Sequence, residues 1–261
     1  MIVLRRIQDG LQTELIGKEI HHFAEVTSTN DVAKKLAAGG AEEGTVIIAE
    51  TQTGGRGRIG REWFSPKGGV WFSIILRPKV SPEDALRLTL TTAVAVAHVI
   101  RRMLRLNSEI KWPNDVLIEG KKVCGILTEM STSGKIVKSV VLGIGINANV
   151  NVESFPEHLR NSVTSLKKEL REEVPRERFL QALLEELERY YTMFTRSEFD
   201  LILEEWKELA RFLGSHIEVV SCGEKLVGLA VDVDQSGALL IKTRDGNVRR
   251  VVSGDVSLQK L

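Results

Sequence analysis

The sequence has few cysteines and almost no net charge, and each of these shortages excludes a class of protein. Two cysteines in 261 residues, Cys124 and Cys222, are too few for a disulfide-stabilised scaffold or a four-cysteine zinc site. The 36 basic and 35 acidic side chains leave a formal net charge of +1, whereas a general DNA-binding protein usually carries a basic domain or stripe. We therefore expect a globular protein that does not bind nucleic acid.

Long apolar runs are also missing. The longest apolar region, residues 88–100, contains three threonines and His98 and is shorter than the roughly 20 residues that span a bilayer. Arg5 and Arg6 interrupt the apolar start of the chain, which argues against a secretory signal peptide. The sequence predicts a soluble, cytoplasmic protein with no membrane partner.

Apolar periodicity and turn signals predict an α+β fold with a mixed, largely antiparallel sheet. Helices are expected at 32–38, from Pro82 to about 104, and in two pieces between 176 and 214. The composition changes near Gly214 to short β-like runs separated by turns such as Asp245-Gly246. We expect a main domain over 1–213 and a small β domain over 214–261. The predicted strands are 45–50, 70–76, 109–112, 116–118, 123–130, 136–148, 217–221, 226–233, 239–243 and 248–252.

The segment 52–61 (QTGGRGRIGR) carries four glycines and three arginines. Arginine presents planar donors to phosphate or carboxylate oxygens, and glycine lets backbone N–H groups approach them. The segment also fits the dinucleotide pattern G-x-G-x-x-G, but Pro66 and Gly68 break the helix that this pattern requires. No Lys-Ser/Thr pair follows Gly60, so a P-loop is excluded as well. The composition predicts a loop that folds over an anion.

Four blocks in this order resemble the biotin protein ligase family. They are Ser28-Thr29-Asn30, the segment 52–61 (the glycine-arginine loop) extended by Trp63-Phe64-Ser65-Pro66, Lys111-Trp112-Pro113-Asn114-Asp115 followed by Lys122, and Gly143-Ile144-Gly145-Ile146-Asn147. The resemblance runs from about residue 17 to 166 and more weakly to the C-terminus. It implies a class II synthetase-like catalytic core with a small C-terminal SH3-like β-barrel.

The resemblance implies a two-step ATP-dependent reaction. The biotin carboxylate attacks the α-phosphate of ATP and forms biotinyl-5′-AMP, and a lysine of a biotin carboxyl carrier domain then takes the biotin. ATP, biotin and Mg²⁺ are the implied ligands, with Mg²⁺ carried on the phosphates rather than in a protein metal site. The family also implies a homodimer.

Site residues follow from the same resemblance, position by position. Lys122 and Arg58 are the implied catalytic residues, with Lys122 placed between the biotin carboxylate and the α-phosphate. The implied biotin-binding residues are Ser28, Thr29, Asn30, Gln52, Gly55, Arg56, Lys122, Gly143 and Gly145. The implied nucleotide-binding residues are Arg58, Arg61, Trp63, Asn114, Asp115 and Asn147.

Simpler interpretations exist for several of these residues. Ser28 and Asn30 are also helix-capping residues, Asp115 is also a turn former, and Lys122 is also an ordinary turn lysine. Gln259 stands where some family members place an arginine that reaches ATP, so the resemblance implies no such contact here.

Two other functions remain open at this stage. One is a lipoate or octanoate ligase or transferase, which shares the fold and the acyl-adenylate chemistry. The other is a non-catalytic, DNA-binding biotin or nucleotide sensor. The N-terminal winged helix of repressor members has no room before residue 17, which argues against repression.

Overall fold

A computed structural model describes residues 1–221 and 223–258, apart from the side chains of Ala85 and Leu258. It contains one large mixed sheet, covered by helices, and a smaller antiparallel sheet near the C-terminus. The elements of the first part are α1 (Leu4–Gln8), β1 (Ile20–Val26), α2 (Thr29–Ala38), β2 (Val46–Gln52), β3 (Val70–Leu76), α3 (Ala85–Leu104), β4 (Ser108–Lys111), β5 (Asp115–Ile118), β6 (Lys121–Ser133), β7 (Ile136–Ile146), α4 (Leu166–Leu170), α5 (Arg176–Thr195) and α6 (Phe199–Leu209).

The large sheet has seven strands in the order β1-β2-β3-β7-β6-β5-β4. Only the β1–β2 pair is parallel, and every other neighbouring pair is antiparallel. The predicted α+β class with a mixed, largely antiparallel sheet is therefore confirmed.

Alternating residues of the strands serve two different faces, because successive side chains of a strand point to opposite sides. On β3, Phe72 and Ile74 join the main core beneath α3 and α5, whereas Ile75 packs with Ala33 and Ala37 of α2. The face under α2 is therefore distinct from the main core. We call it the α2 face.

The smaller sheet comprises β8 (His216–Ser221), β9 (Glu224–Val233), β10 (Leu239–Lys242), β11 (Val248–Val251) and β12 (Asp255–Leu258), in the order β11-β10-β9-β8-β12. Its buried residues, among them Ile217 and Leu239, belong to the same hydrophobic cluster as the main core. The Trp112 indole donates a hydrogen bond to the carbonyl of Gly237 at 2.9 Å. The smaller sheet is thus packed onto the larger domain through apolar contacts and a buried hydrogen bond.

Replacing Trp112 by phenylalanine is expected to lower the free energy of unfolding by about 1–3 kcal/mol, because the Gly237 carbonyl loses its buried donor. Trp206→Phe is the matched control, since Trp206 is also fully buried but its indole nitrogen has no hydrogen-bond partner in the described chain. Urea unfolding of both variants measures the difference. Equal losses would show that the Trp112–Gly237 bond contributes nothing.

The structure contains two strands and two five-residue helices that the sequence did not predict. They are β1, β12, α1 and α4. In β1 no side chain is fully buried, so the strand lacks the apolar alternation that marks a half-buried strand. The helix predicted from Pro82 begins as a 3₁₀ turn over Pro82–Asp84, and the α-helix starts at Ala85. In the described chain no helix combines the length and apolarity needed to cross a membrane.

Candidate active site

A cavity of about 340 Å³ opens on the α2 face, between the start of α2, the glycine-arginine loop, β6 and β7. Asp255, from the smaller sheet, completes its wall. Most of the residues predicted for the site from sequence line this cavity together: Ser28, Thr29, Asn30, Gln52, Arg56, Arg58, Arg61, Trp63, Asn114, Asp115, Lys122, Gly143 and Gly145.

The floor of the cavity is made of glycines that alternate with core residues. Gly143 and Gly145 fall on the α2 face of β7, while Ile144 between them belongs to the main core. A Cβ on Gly143 would lie 2.1 Å from Asn30 Oδ1, and one on Gly145 would lie 2.3 Å from Trp63 Nε1. The resemblance implies that Gly143 and Gly145 bind biotin, and in this structure the two glycines admit the side chains of Asn30 and Trp63.

One end of the cavity carries a row of hydrogen-bonding side chains. The Ser73 hydroxyl lies 2.6 Å from Asn30 Oδ1 and 2.8 Å from Thr29 Oγ1. Gln52 Oε1 accepts the backbone N–H of Thr29 at 2.8 Å, and Gln52 Nε2 donates to Ser65 Oγ at 2.8 Å. Such neutral groups suit a ligand that both donates and accepts hydrogen bonds.

Glu129 joins this row to the loop. Its carboxylate accepts from Asn30 Nδ2 at 2.8 Å and from Lys34 at 2.6 Å, and it lies 3.5 Å from Arg56. Burial would raise the pKa of Glu129, but the hydrogen bonds from Lys34 and Asn30 outweigh it and lower that pKa below the usual range. Glu129 is therefore an anion that ties helix, strand and loop together.

Arg56 is held by carboxylates. Its guanidinium makes two hydrogen bonds to Asp31, at 2.9 and 2.6 Å, and this pairing raises the pKa of Arg56. Bidentate pairing of this kind fixes the geometry of both partners. Arg56 thus attaches the first part of the loop to α2.

The opposite end of the cavity is cationic. Lys122 Nζ forms an ion pair with Asp115 at 2.7 Å and lies 5.0 Å from the centre of the Trp63 ring. Lys122 is 27% exposed and Asp115 is 18% exposed, so the pair is partly desolvated but remains open to the cavity. The Trp63 indole nitrogen is buried and has no hydrogen-bond partner among the described residues.

Two arginines of the loop contact the smaller sheet. Arg58 donates to Asn114 Oδ1 at 3.1 Å and to the Gly254 carbonyl at 3.2 Å, and Arg61 donates to Asp255 at 2.5 Å. Burial lowers the pKa of Arg58, although Asp255 and Asp115 oppose this effect. The loop is therefore fastened on both sides of the cavity, to α2 by Arg56 and to the C-terminal sheet by Arg58 and Arg61.

Two residues predicted for the site do not line this cavity. Asn147 is fully buried behind it, and its amide donates to the carbonyl of Thr164 at 2.9 Å. Gly55 is a buried residue of the loop itself, and a Cβ on it would lie 2.4 Å from the Trp63 carbonyl. Its glycine is thus explained by close packing of the loop. Their predicted roles as ligand contacts remain predictions, and Gln259 lies outside the described residues.

Sequence reasoning missed Ser73, Glu129 and Asp255 as contributors to the site. Ser73 left a signal, because it is the single polar residue in the fully buried strand Val70–Leu76. Nothing in the sequence marks Glu129 or Asp255 as a site residue. Glu129 reaches the site from β6, and Asp255 reaches it because the smaller sheet packs against the larger one.

The described residues include no group of three or more His, Cys, Asp or Glu side chains that could hold a metal ion.

Comparison with protein families gives two matches. The model of the biotin/lipoate A/B protein ligase family matches residues 22–147, and that of the biotin protein ligase C-terminal domain matches residues 212–259. The first range contains almost the whole cavity, and the second contains the smaller sheet with Asp255.

Individual relatives agree with these matches. The bifunctional ligase/repressor BirA of Bacillus subtilis is 38% identical over 253 residues, which cover 97% of this chain and 78% of BirA. The biotin–[acetyl-CoA-carboxylase] ligase of Paracoccus denitrificans is 34% identical, over 84% of this chain and 92% of that enzyme. The biotin protein ligase of Aquifex aeolicus, solved with biotin and ATP, superposes with a TM-score of 0.80 at 29% identity, over 94% of this chain and 100% of that one.

The fold and the cavity define a ligase of the class that activates a small carboxylic acid for transfer to protein. The chain belongs to the biotin/lipoate A/B protein ligase family, and within it to the biotin protein ligases.

Proposed function

We propose that the protein is an ATP-dependent biotin protein ligase, which forms biotinyl-5′-AMP from biotin and ATP and then transfers biotin to a lysine of a biotin carboxyl carrier domain. One observation carries the proposal: a single cavity has a neutral hydrogen-bonding end and a cationic end. Biotin has the same two chemistries, since its ureido group is neutral and its carboxylate is anionic.

The neutral end suits the ureido ring. Thr29, Asn30 and Gln52 line the cavity and are held by neighbouring hydrogen bonds. Ser28 also lines it, and its hydroxyl makes no capping bond to the first turn of α2 in the described chain. That hydroxyl is free to donate to the ureido oxygen.

The cationic end suits the reacting groups. In the first step an anionic carboxylate approaches an anionic phosphate, and negative charge grows on the departing pyrophosphate. In this proposal Lys122 attracts both reacting anions, and Arg58 and Arg61 bind the phosphates. Fixed cations in a site shielded from water lower such a barrier, because they need little reorganisation during the reaction.

The second step requires that the adenylate survive until the carrier lysine arrives. The lysine amine, once deprotonated, attacks the biotinyl carbonyl; a C–N bond forms and AMP leaves with the electron pair of the broken C–O bond. The loop between Arg56 and Arg61, fastened to α2 and to the smaller sheet, excludes water in the meantime.

The direct test is incubation of the protein with biotin, ATP, Mg²⁺ and a biotin carboxyl carrier domain, followed by intact mass measurement. We expect the carrier mass to rise by one biotinyl group, with no change when its acceptor lysine is replaced. ATP–pyrophosphate exchange stimulated by lipoate but not by biotin would contradict the proposal and favour a lipoate ligase.

The proposal also covers the domain boundaries, the oligomeric state and the cellular location of the protein. We propose a catalytic domain over 1–213, a small β domain over 214–261, a homodimer, no binding of nucleic acid, and a cytoplasmic location. The near-neutral charge supports the absence of nucleic-acid binding. Light scattering with and without biotin and ATP tests the dimer. A shift of operator-like DNA by the purified protein would contradict the proposed absence of nucleic-acid binding.

A further inference from the structure

Five cations line the cavity, and four of them already have partners within the protein. The fifth is Lys111, the last residue of β4. Within residues 1–221 and 223–258 its ammonium group makes no hydrogen bond or ion pair. The charge of Lys111 is therefore not balanced by any partner in that part of the chain. The four paired cations are Arg56 with Asp31, Arg58 with Asn114 and the Gly254 carbonyl, Arg61 with Asp255, and Lys122 with Asp115.

The sheet register places Lys111 on the same face as the floor of the cavity. Lys111 is paired with Asp115 of β5. Asp115 is in turn paired with Gly125 of β6, and Gly125 with Gly145 of β7. Residues opposite each other on neighbouring strands share a face of the sheet, and all four line the cavity. Lys111 is therefore the outer end of the row that forms the cavity floor.

The order of the strands gives this row a direction. The neutral end lies over β7, where a Cβ on Gly143 would meet Asn30. The Lys122 side chain lies over β6, since a Cβ on Gly125 would be 3.1 Å from its Cε. Lys111 lies two strands further, on β4. Neighbouring strands are about 4.8 Å apart, so Lys111 is roughly 10 Å beyond the strand of Lys122.

This direction matches the geometry of the first reaction step. A biotin carboxylate oxygen bonds to the α-phosphorus of ATP, the bond from that phosphorus to the bridging oxygen breaks, and pyrophosphate leaves with the electron pair. The attacking and leaving oxygens lie roughly in line, on opposite sides of the phosphorus. Because the carboxylate reaches Lys122 from the β7 side, pyrophosphate departs toward β5 and β4. Asp115 on that side is neutralised by Lys122, which leaves the charge of Lys111 to attract the leaving group.

We propose that Lys111 binds the β- and γ-phosphates of ATP and the pyrophosphate that forms from them. Binding at Lys111 breaks no ion pair within the described chain, because the ammonium group has no partner there to give up. The inference rests on the proposed function and adds one substrate-binding residue to its first step. The second step involves no pyrophosphate, so Lys111 has no role in it.

Three variants separate the charge of Lys111 from its bulk. Lys111→Met removes the charge and keeps most of the length of the side chain, whereas Lys111→Arg keeps the charge. Lys111→Gln is a second neutral variant. Lys121→Met is the matched control, because Lys121 also has no side-chain partner in the described chain and does not line the cavity.

The test measures the two steps separately with the full chain. ATP–pyrophosphate exchange at saturating biotin gives KM for ATP and KM for pyrophosphate. We expect Lys111→Met to raise both about tenfold, because a charged hydrogen bond to phosphate is lost, while KM for biotin stays unchanged. Lys111→Arg and Lys121→Met should behave as wild type. Transfer from added biotinyl-5′-AMP to a carrier domain should keep its wild-type rate in every variant.

A KM for pyrophosphate in Lys111→Met equal to that in Lys121→Met would overturn the inference. Equal slowing of exchange and of transfer from added adenylate would overturn it too, since a structural role affects both steps. A raised KM for the carrier domain alone would assign Lys111 to partner binding instead. Lys111→Gln decides the matter if Lys111→Met does not fold. Absence of biotin-dependent exchange in the wild-type protein would contradict the proposed function itself, so the two failures are distinguishable.

Discussion

Replacing Lys122 by alanine is expected to lower the rate of adenylate formation by about 10²–10³-fold at saturating biotin and ATP. Loss of one fixed charge-stabilising group in a catalytic site has effects of this size. Lys122 lies at the cationic end of the cavity, paired with Asp115 at 2.7 Å. Its removal leaves two substrate anions without their shared cation and also leaves the Asp115 carboxylate unpaired, which adds repulsion.

Lys121→Ala is the matched control for this prediction. Lys121 is adjacent in β6, but successive side chains of a strand point to opposite faces, and Lys121 does not line the cavity. Pyrophosphate exchange measures both variants. We expect Lys121→Ala to behave as wild type, and a near-normal rate in Lys122→Ala would remove Lys122 from the mechanism.

Replacing Arg58 by glycine is expected to release the reactive adenylate before transfer. Arg58 holds the loop to Asn114 and to the Gly254 carbonyl of the smaller sheet. Loss of both bonds should speed dissociation of biotinyl-5′-AMP at least tenfold, because charged hydrogen bonds contribute about 1.5–3 kcal/mol each and 1.4 kcal/mol corresponds to a factor of ten. The free anhydride would then react with exposed lysines of unrelated proteins.

The measurement is biotin labelling of a bystander protein, such as serum albumin, mixed with enzyme, biotin and ATP. Ile59→Gly is the control, since Ile59 is 72% exposed at the tip of the same loop and its replacement adds backbone freedom without removing a charge. We expect bystander labelling with Arg58→Gly only. Equal labelling by the two variants would assign the effect to loop flexibility. Tight retention of the adenylate by Arg58→Gly would contradict the role of Arg58 in holding the loop closed.

Much of the fold follows from local patterns. The apolar run of β3 matches the predicted strand 70–76, and the break around 195–197 falls where α5 gives way to α6. Such patterns are strong because side chains that face one core repeat with the period of their element. The strands β1 and β12 escaped prediction because few of their side chains are fully buried, so neither shows the apolar alternation of a half-buried strand.

The sequence by itself shows the glycine-arginine loop, whose residue types limit its chemistry, whereas Ser28 and Lys122 were singled out through the family resemblance. It also placed a compositional change near Gly214, close to the first strand of the smaller sheet. Together these determined the α+β class, the family resemblance and an anion-binding loop.

Only the tertiary structure decided which of these residues meet and what they contact. Gly143 and Gly145 admit Asn30 and Trp63, Arg56 pairs with Asp31, and Asp255 reaches Arg61 from 194 positions away in the chain. The physical reason is that hydrogen bonds and ion pairs depend on distance and direction in space. Sequence motifs specify donors and acceptors, whereas the packing of β3, β6 and the smaller sheet determines how they pair.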